Sequence, residues 1–90
     1  MSTPERTPRV TIIILNWNGI SDTLECLESV TELEYPEVQV IVVDNGSTDG
    51  SPSSIRQRYP SVTLLETGKN LGFTGGNNLG MRKALEMGTD

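Results

Sequence analysis

Ninety residues carrying 7 basic and 12 acidic side chains, formal net charge −5, make one small domain and disfavour a nonspecific grip on nucleic acid or anionic lipid. Hydrophobic residues are 34% and aromatics 4%, so any core is thin and aliphatic. A lone Cys26 excludes an internal disulfide and no apolar run could span a bilayer, which leads us to expect a soluble chain in a reducing, cytoplasmic compartment.

Residues 1–9 are polar and read as a disordered or extended tail. Val10 to Leu15 is a β-branched run without polar alternation, suited to a strand buried on both faces of a parallel sheet. It stops at Asn16-Trp17-Asn18-Gly19. Ser21 or Asp22 can cap a helix, with Glu25 completing a capping box behind Asp22 and Ile20, Leu24, Leu27 and Val30 forming its apolar stripe. Asp22, Glu25, Glu28, Glu32, Glu34 and Glu37 mostly lie off that stripe and read as a solvated face. After Tyr35-Pro36, the run Val38 to Val43 is a second strand feeding the polar loop Asp44 to Gly50.

Ser51-Pro52 places a cap and an early proline before a short helix that runs to about Arg58, where Tyr59-Pro60 breaks it. A third strand is expected from Val62 to Glu66. The stretch Gly68 to Gly76 reads as a glycine-rich connection, and a final helix carries Met81, Ala84 and Leu85, with Gly88 capping its last turn.

Strands alternating with helices predict an α/β fold: a partial doubly wound, Rossmann-like parallel sheet of three strands, with ligands bound beyond their carboxyl ends. The loops after Leu15, Val43 and Glu66 all leave that edge. Asp44, placed at the rim after an apolar run, can accept hydrogen bonds from a ligand's N–H or hydroxyl groups, or can instead form an Asx turn; Asp49 fits a helix cap better. Trp17 offers a flat apolar ring for stacking a planar base, and packing against a neighbouring loop is the alternative. The glycines at 72, 75, 76 and 80 permit close backbone approach to a ligand or to another element, and the amides opening the last helix could face phosphate. Lys69, Arg82 and Lys83 are the basic groups expected near this edge.

Other motifs fail on spacing. Gly72 to Gly80 is not G-x-G-x-x-G and follows the wrong strand, and Gly68-Lys69-Asn70 lacks the Ser or Thr of a P-loop. Gly46 and Thr48 occupy positions where a calcium loop needs other ligands. Asn45-Gly46-Ser47 is formally a glycosylation sequon, which we take as chance.

Together, Asn16-Trp17-Asn18-Gly19, the run Val42 to Gly50, and the run Asn70 to Asn78 resemble, in the same order, the amino-terminal part of family 2 inverting glycosyltransferases, the last most like their rhamnosyltransferase-like branch. The resemblance implies a GT-A fold that binds a nucleotide-diphosphate sugar of UDP, dTDP or GDP type and passes the sugar to an acceptor saccharide or lipid-linked glycan, as in cell wall or polysaccharide biosynthesis. It further implies that Trp17 stacks on the base and Asp44 accepts from its N–H. Leu15 and Asn16 would lend backbone to the same pocket, and the Gly72-Phe73 turn would border it. The family's metal-binding D-x-D, which would hold Mg or Mn, and its general base do not occur within these 90 residues. We therefore expect an inactive, nucleotide-recognising fragment over residues 10–90, with no catalytic residue, metal or cofactor of its own, from a parent that associates with a membrane. A non-catalytic nucleotide-binding or assembly module is the alternative. The strand at Val10 to Leu15 should keep an open edge through which copies could pair.

Overall fold

A computed structural model describes residues 8–89, so the tail expected over residues 1–9 lies outside the described residues as far as position 7. Its elements, in chain order, are β1 (Val10–Asn16), α1 (Ile20–Thr31), β2 (Val38–Asp44), α2 (Ser51–Arg58), β3 (Thr63–Glu66) and α3 (Gly72–Glu86). The strands pair in parallel in the order β1-β2-β3, the α/β sheet expected from the alternation of strands and helices.

Side chains alternate across a strand, so the apolar run of β2 serves both faces at once. On one face Val42 packs with Leu27 of α1 and Ile55 of α2, all fully buried. On the other, Ile41 and Val43 pack with Ala84 of α3. Each such side chain contributes about 1.5–3 kcal/mol on burial, which makes β2 the main source of stability in the sheet. β1 was expected to be buried on both faces, and it does face both layers: Ile14 joins the α1 side, Ile13 and Leu15 the α3 side. It is only half-buried through Thr11 to Leu15, because among the described residues it has a neighbouring strand on one side alone.

Three local expectations need correction. The glycine-rich connection is shorter than the sequence suggests, because α3 already begins at Gly72. Gly76, Gly80 and Ala84 are spaced by four and form one bare face that sets the helix backbone onto β1 and β2. A Cβ on Gly76 would lie 2.4 Å from Leu15 Cδ1, and one on Gly80 would lie 2.7 Å from Ile13 Cγ2. That close approach overrides the loss of helix propensity, about 1 kcal/mol per glycine. Next, α1 has no capping box: it starts at Ile20 behind Gly19, so Asp22 falls inside the first turn and no side chain of its own loop caps it. Finally, Gly50, at φ 83°, takes the cap position of α2, which moves Ser51 and Pro52 into its first turn.

Gly88 closes α3 as expected. With φ at +91° it lets its own N–H donate to Leu85 O at 3.2 Å and the Thr89 N–H donate to Ala84 O at 3.1 Å, the paired bonds of a Schellman motif. Arg9 adds its guanidinium to Met87 O at 3.2 Å, tying the start of β1 to the end of α3. The acids Asp22, Glu25 and Glu28 are exposed along α1, a solvated face.

Candidate functional site

The parallel register sets Asn16, Asp44 and Glu66 abreast at the carboxyl ends of β1, β2 and β3. Trp17, the Asp44 to Gly50 loop and the start of α3 therefore share one edge, as the strand order predicts. What holds them there is a net of polar side chains, each placed by the apolar strand it terminates.

Asn16 is its first node. Its Nδ2 donates to Asp44 Oδ1 at 2.8 Å and to Ser47 Oγ at 3.1 Å, and its Oδ1 accepts from the buried Thr23 hydroxyl at 2.5 Å. Asp44, only 2% exposed, accepts a second bond at Oδ2 from the Ser47 N–H at 2.9 Å. The turn-forming role left open for Asp44 is thus filled, and with two bonds accepted a carboxylate still has lone pairs free. Ser47 Oγ also accepts from the Asn18 N–H at 2.9 Å, and Asn18 Oδ1 accepts from the Thr48 N–H at 2.7 Å. Among the described residues no buried side-chain polar atom lacks a partner.

Asn45 is the second node. Also 2% exposed, it donates from Nδ2 to Gly72 O at 3.0 Å and accepts at Oδ1 from the Leu71 N–H at 3.2 Å and from the Thr67 hydroxyl at 3.3 Å. That fixes the entry of α3 to the end of β2. Gly46, at φ +83°, lets the loop turn directly over the next one: a Cβ there would sit 2.8 Å from Lys69 Cα and 2.9 Å from Lys69 C.

Asp49 joins two helices. Its Oδ2 accepts from the Ile20 N–H of α1 at 3.3 Å and its Oδ1 from the Ser51 N–H of α2 at 2.9 Å, with the Ser51 hydroxyl on the same oxygen. The Ser51 hydroxyl, then these amides, hold its carboxyl below the ordinary aspartate value of 3.8. Asp49 thus supplies to α1 the carboxylate that a capping box would have given it.

Against this scaffold the other expected residues can be placed. Leu15 is half-buried with its side chain against Gly76, and Asn16 O accepts from the Asn45 N–H at 2.8 Å. Trp17 is 56% exposed and Phe73, in the first turn of α3, is 75% exposed, so both aromatic rings stand at the edge with surface to spare. Gly72 has φ +77° and open space around it. Arg82 and Lys83 are not at the rim: they lie well inside α3, lining a groove with Leu64, Leu65 and Glu66, and Lys83 pairs with Glu86 at 3.8 Å. Sequence reasoning passed over Thr23 and the bracing role of Asn45. Thr23 had a signal, a polar residue seated within the stripe of Ile20, Leu24 and Leu27.

A divalent cation does not fit the groups present. Asp44 is bound to Asn16 and Ser47, Glu66 pairs with Arg56, and among the described residues no three His, Cys, Asp or Glu side chains gather.

A parallel α/β sheet with a built rim at its carboxyl edge is the architecture of a Rossmann-like GT-A domain. The chain matches the solved mannosyltransferase PcManGT from Pyrobaculum calidifontis, in complex with GDP-Man and Mn2+, at a TM-score of 0.80 and 35% identity, over 90% of this chain and 26% of that one. A family model described as glycosyl transferase family 2 matches residues 11–86, and the chain belongs to that family. Among curated relatives, an N-acetylglucosaminyl-diphospho-decaprenol L-rhamnosyltransferase of Mycobacterium tuberculosis is 49% identical over 53 residues, covering 59% of this chain and 17% of that protein. Glycosyltransferase AglE of Haloferax volcanii is 33% identical over 82 residues, 86% of this chain and 27% of that protein. The chain thus spans between 17% and 27% of the length of these two relatives.

Proposed function

We propose that these residues form the part of a family 2 glycosyltransferase that recognises the nucleotide of a sugar donor, for transfer of the sugar to an acceptor hydroxyl with inversion. The observation that carries the reading is the convergence of Trp17, Asp44 and the Gly72-Phe73 turn on one polar-braced edge. Trp17 stacks on the base, and the free lone pairs of Asp44 accept from its N–H. The backbone of Leu15 and Asn16 lines the pocket, with Gly72 and Phe73 on its far side. The solved neighbour holds GDP-Man with Mn2+, which supports a nucleotide-diphosphate donor of UDP, dTDP or GDP type and a divalent ion in the complete enzyme. Since the sequence holds no D-x-D and no acidic cluster forms among the described residues, we assign the ion and the general base to other parts of the complete enzyme, and these 90 residues alone would transfer no sugar.

The mycobacterial relative is an N-acetylglucosaminyl-diphospho-decaprenol L-rhamnosyltransferase, which supports a saccharide or lipid-linked glycan acceptor and work at a membrane face, and we read the enzyme as acting from the cytoplasmic side. No helix among the described residues is long and apolar enough to cross a membrane. The side of β1 that has no neighbouring strand among the described residues is a second contact surface, open to a strand from another copy. The reading is tested by calorimetric titration of the chain with UDP, dTDP and GDP. One of them should bind, and Trp17→Ala should weaken that binding by about 5- to 100-fold, the worth of one base-stacking ring. Failure of all three to bind overturns the reading.

A further inference from the structure

We propose that Ser47 and Asn18 form a clasp between the two rim loops that positions Trp17 before any ligand arrives. Trp17 lies in a connection of three residues between β1 and α1, with more than half of its surface in solvent. Nothing in its own chemistry would fix such a ring. Its two neighbours, however, donate to one oxygen: Asn16 through Nδ2 at 3.1 Å and Asn18 through its backbone N–H at 2.9 Å, both to Ser47 Oγ. Asn18 returns a bond by accepting the Thr48 N–H at 2.7 Å. The backbone at position 17 is therefore bracketed on both sides by the opposite loop.

The clasp is anchored and strained in ways that suit a positioning device. Ser47 is itself held to β2 through its N–H on Asp44 Oδ2 at 2.9 Å. Asn18 is the one non-glycine residue with positive φ among the described residues, at 49°, a conformation that asparagine tolerates and its reciprocal bonds maintain. A ring carried on a backbone held in place beforehand has less freedom to lose on binding than one on a mobile loop, and one immobilised side chain is worth about two- to tenfold in affinity. That consequence for affinity rests on the nucleotide reading above; the restraint on Trp17 does not.

Trp17 is the sole tryptophan, so its fluorescence reports on the clasp directly. Time-resolved anisotropy and acrylamide quenching are measured on the ligand-free chain, with far-UV circular dichroism as the folding control. Ser47→Ala and Asn18→Gly should each lower the residual anisotropy and increase quenching, while Ser47→Thr, which keeps the hydroxyl, should match the parent. Asn18→Gly removes the Oδ1 that holds the Thr48 N–H and suits the +49° φ, so it loosens the clasp without strain and tests it even where Ser47→Ala unfolds. Parental anisotropy in folded Asn18→Gly and Ser47→Ala would overturn the proposal. Titration with UDP, dTDP and GDP separates the two ideas. If the parent binds, the freed variants should bind about two- to tenfold more weakly, and equal binding refutes the positioning role. If the parent binds none while the ring is freed as expected, the clasp stands and the nucleotide reading falls.

Discussion

Asp44→Asn puts the rim scaffold to its sharpest test, because the substitution leaves no cavity and changes only hydrogen-bond chemistry. In the parent both carboxylate oxygens face donors, Asn16 Nδ2 at 2.8 Å and the Ser47 N–H at 2.9 Å. An amide has a single oxygen, so either orientation leaves one donor opposed by an NH2 group in a site that is 2% exposed. Losing one charge-assisted bond and stranding one buried donor should cost about 2–4 kcal/mol. That is a large share of the about 5–13 kcal/mol expected for a 90-residue chain. The assay is urea denaturation followed by far-UV circular dichroism. The exchange Asn16→Asp with Asp44→Asn restores the pattern. The amide at 44 donates to the carboxylate at 16 and still accepts from the Ser47 N–H, Thr23 donates to the carboxylate as it did to Asn16, and the Ser47 hydroxyl, which accepted from Asn16, turns to donate to it. This double variant should recover most of the loss, a coupling that additive effects cannot produce. The reasoning is refuted if Asp44→Asn alone lies within about 0.5 kcal/mol of the parent, or if the exchange is no more stable than the weaker single variant.

Gly46→Ala should cost about 2–4 kcal/mol in thermal unfolding, since a Cβ would meet Lys69 backbone at 2.8 Å and the +83° φ adds strain. Gly80→Ala should destabilise despite a helix-propensity gain of about 1 kcal/mol, because its Cβ meets the rigid β-branched methyls of Ile13 at 2.7 Å and Val43 at 3.2 Å; a stabilised variant in urea would contradict the packing. Asp49 has a folded value lowered below 3.8, so its contribution is present above that pH and lost as pH falls through the lower folded value. Melting scans at low pH should show a shallower acid loss for Asp49→Asn, and amide exchange at Ile20 and Ser51 should quicken. Sedimentation of the chain should show concentration-dependent association through β1, and a monomer at all concentrations with fast-exchanging β1 amides would remove that surface.

The layers of the fold were legible because they rest on periodicity. The β-branched apolar run at Val40 to Val43 reads as a strand covered on both faces, and the stripe of Ile20, Leu24 and Leu27 as a helix lying on one of them. The entry of α3 was not legible. Glycine spacing reads locally as a turn, while at 76, 80 and 84 it records the distance between a helix and a sheet, a quantity that exists only in three dimensions. The capping of α1 failed for a related reason, since the carboxylate that serves Ile20 comes from Asp49, 29 positions along the chain. At the rim the motif residues were found, but not what joins them: Thr23 was passed over, and the role of Asn45 in tying β2 to the start of α3 was not read.

The polar rim bears on how such a motif can be both structural and functional. Asn16, Asn45, Ser47 and Asp49 all bind another segment, so a ligand cannot take their side chains without breaking the edge. Two kinds of group escape that constraint. One is surface that the scaffold holds but does not use, the rings of Trp17 and Phe73. The other is a carboxylate with more acceptor sites than donors facing it, and of the residues expected to meet the donor only Asp44 qualifies. An amide at position 44 would keep one acceptor oxygen in place of two and turn its NH2 group toward one of the scaffold's donors. The carboxylate thus locks the loop through both of its oxygens, which gives a physical reason for aspartate rather than asparagine at the end of β2.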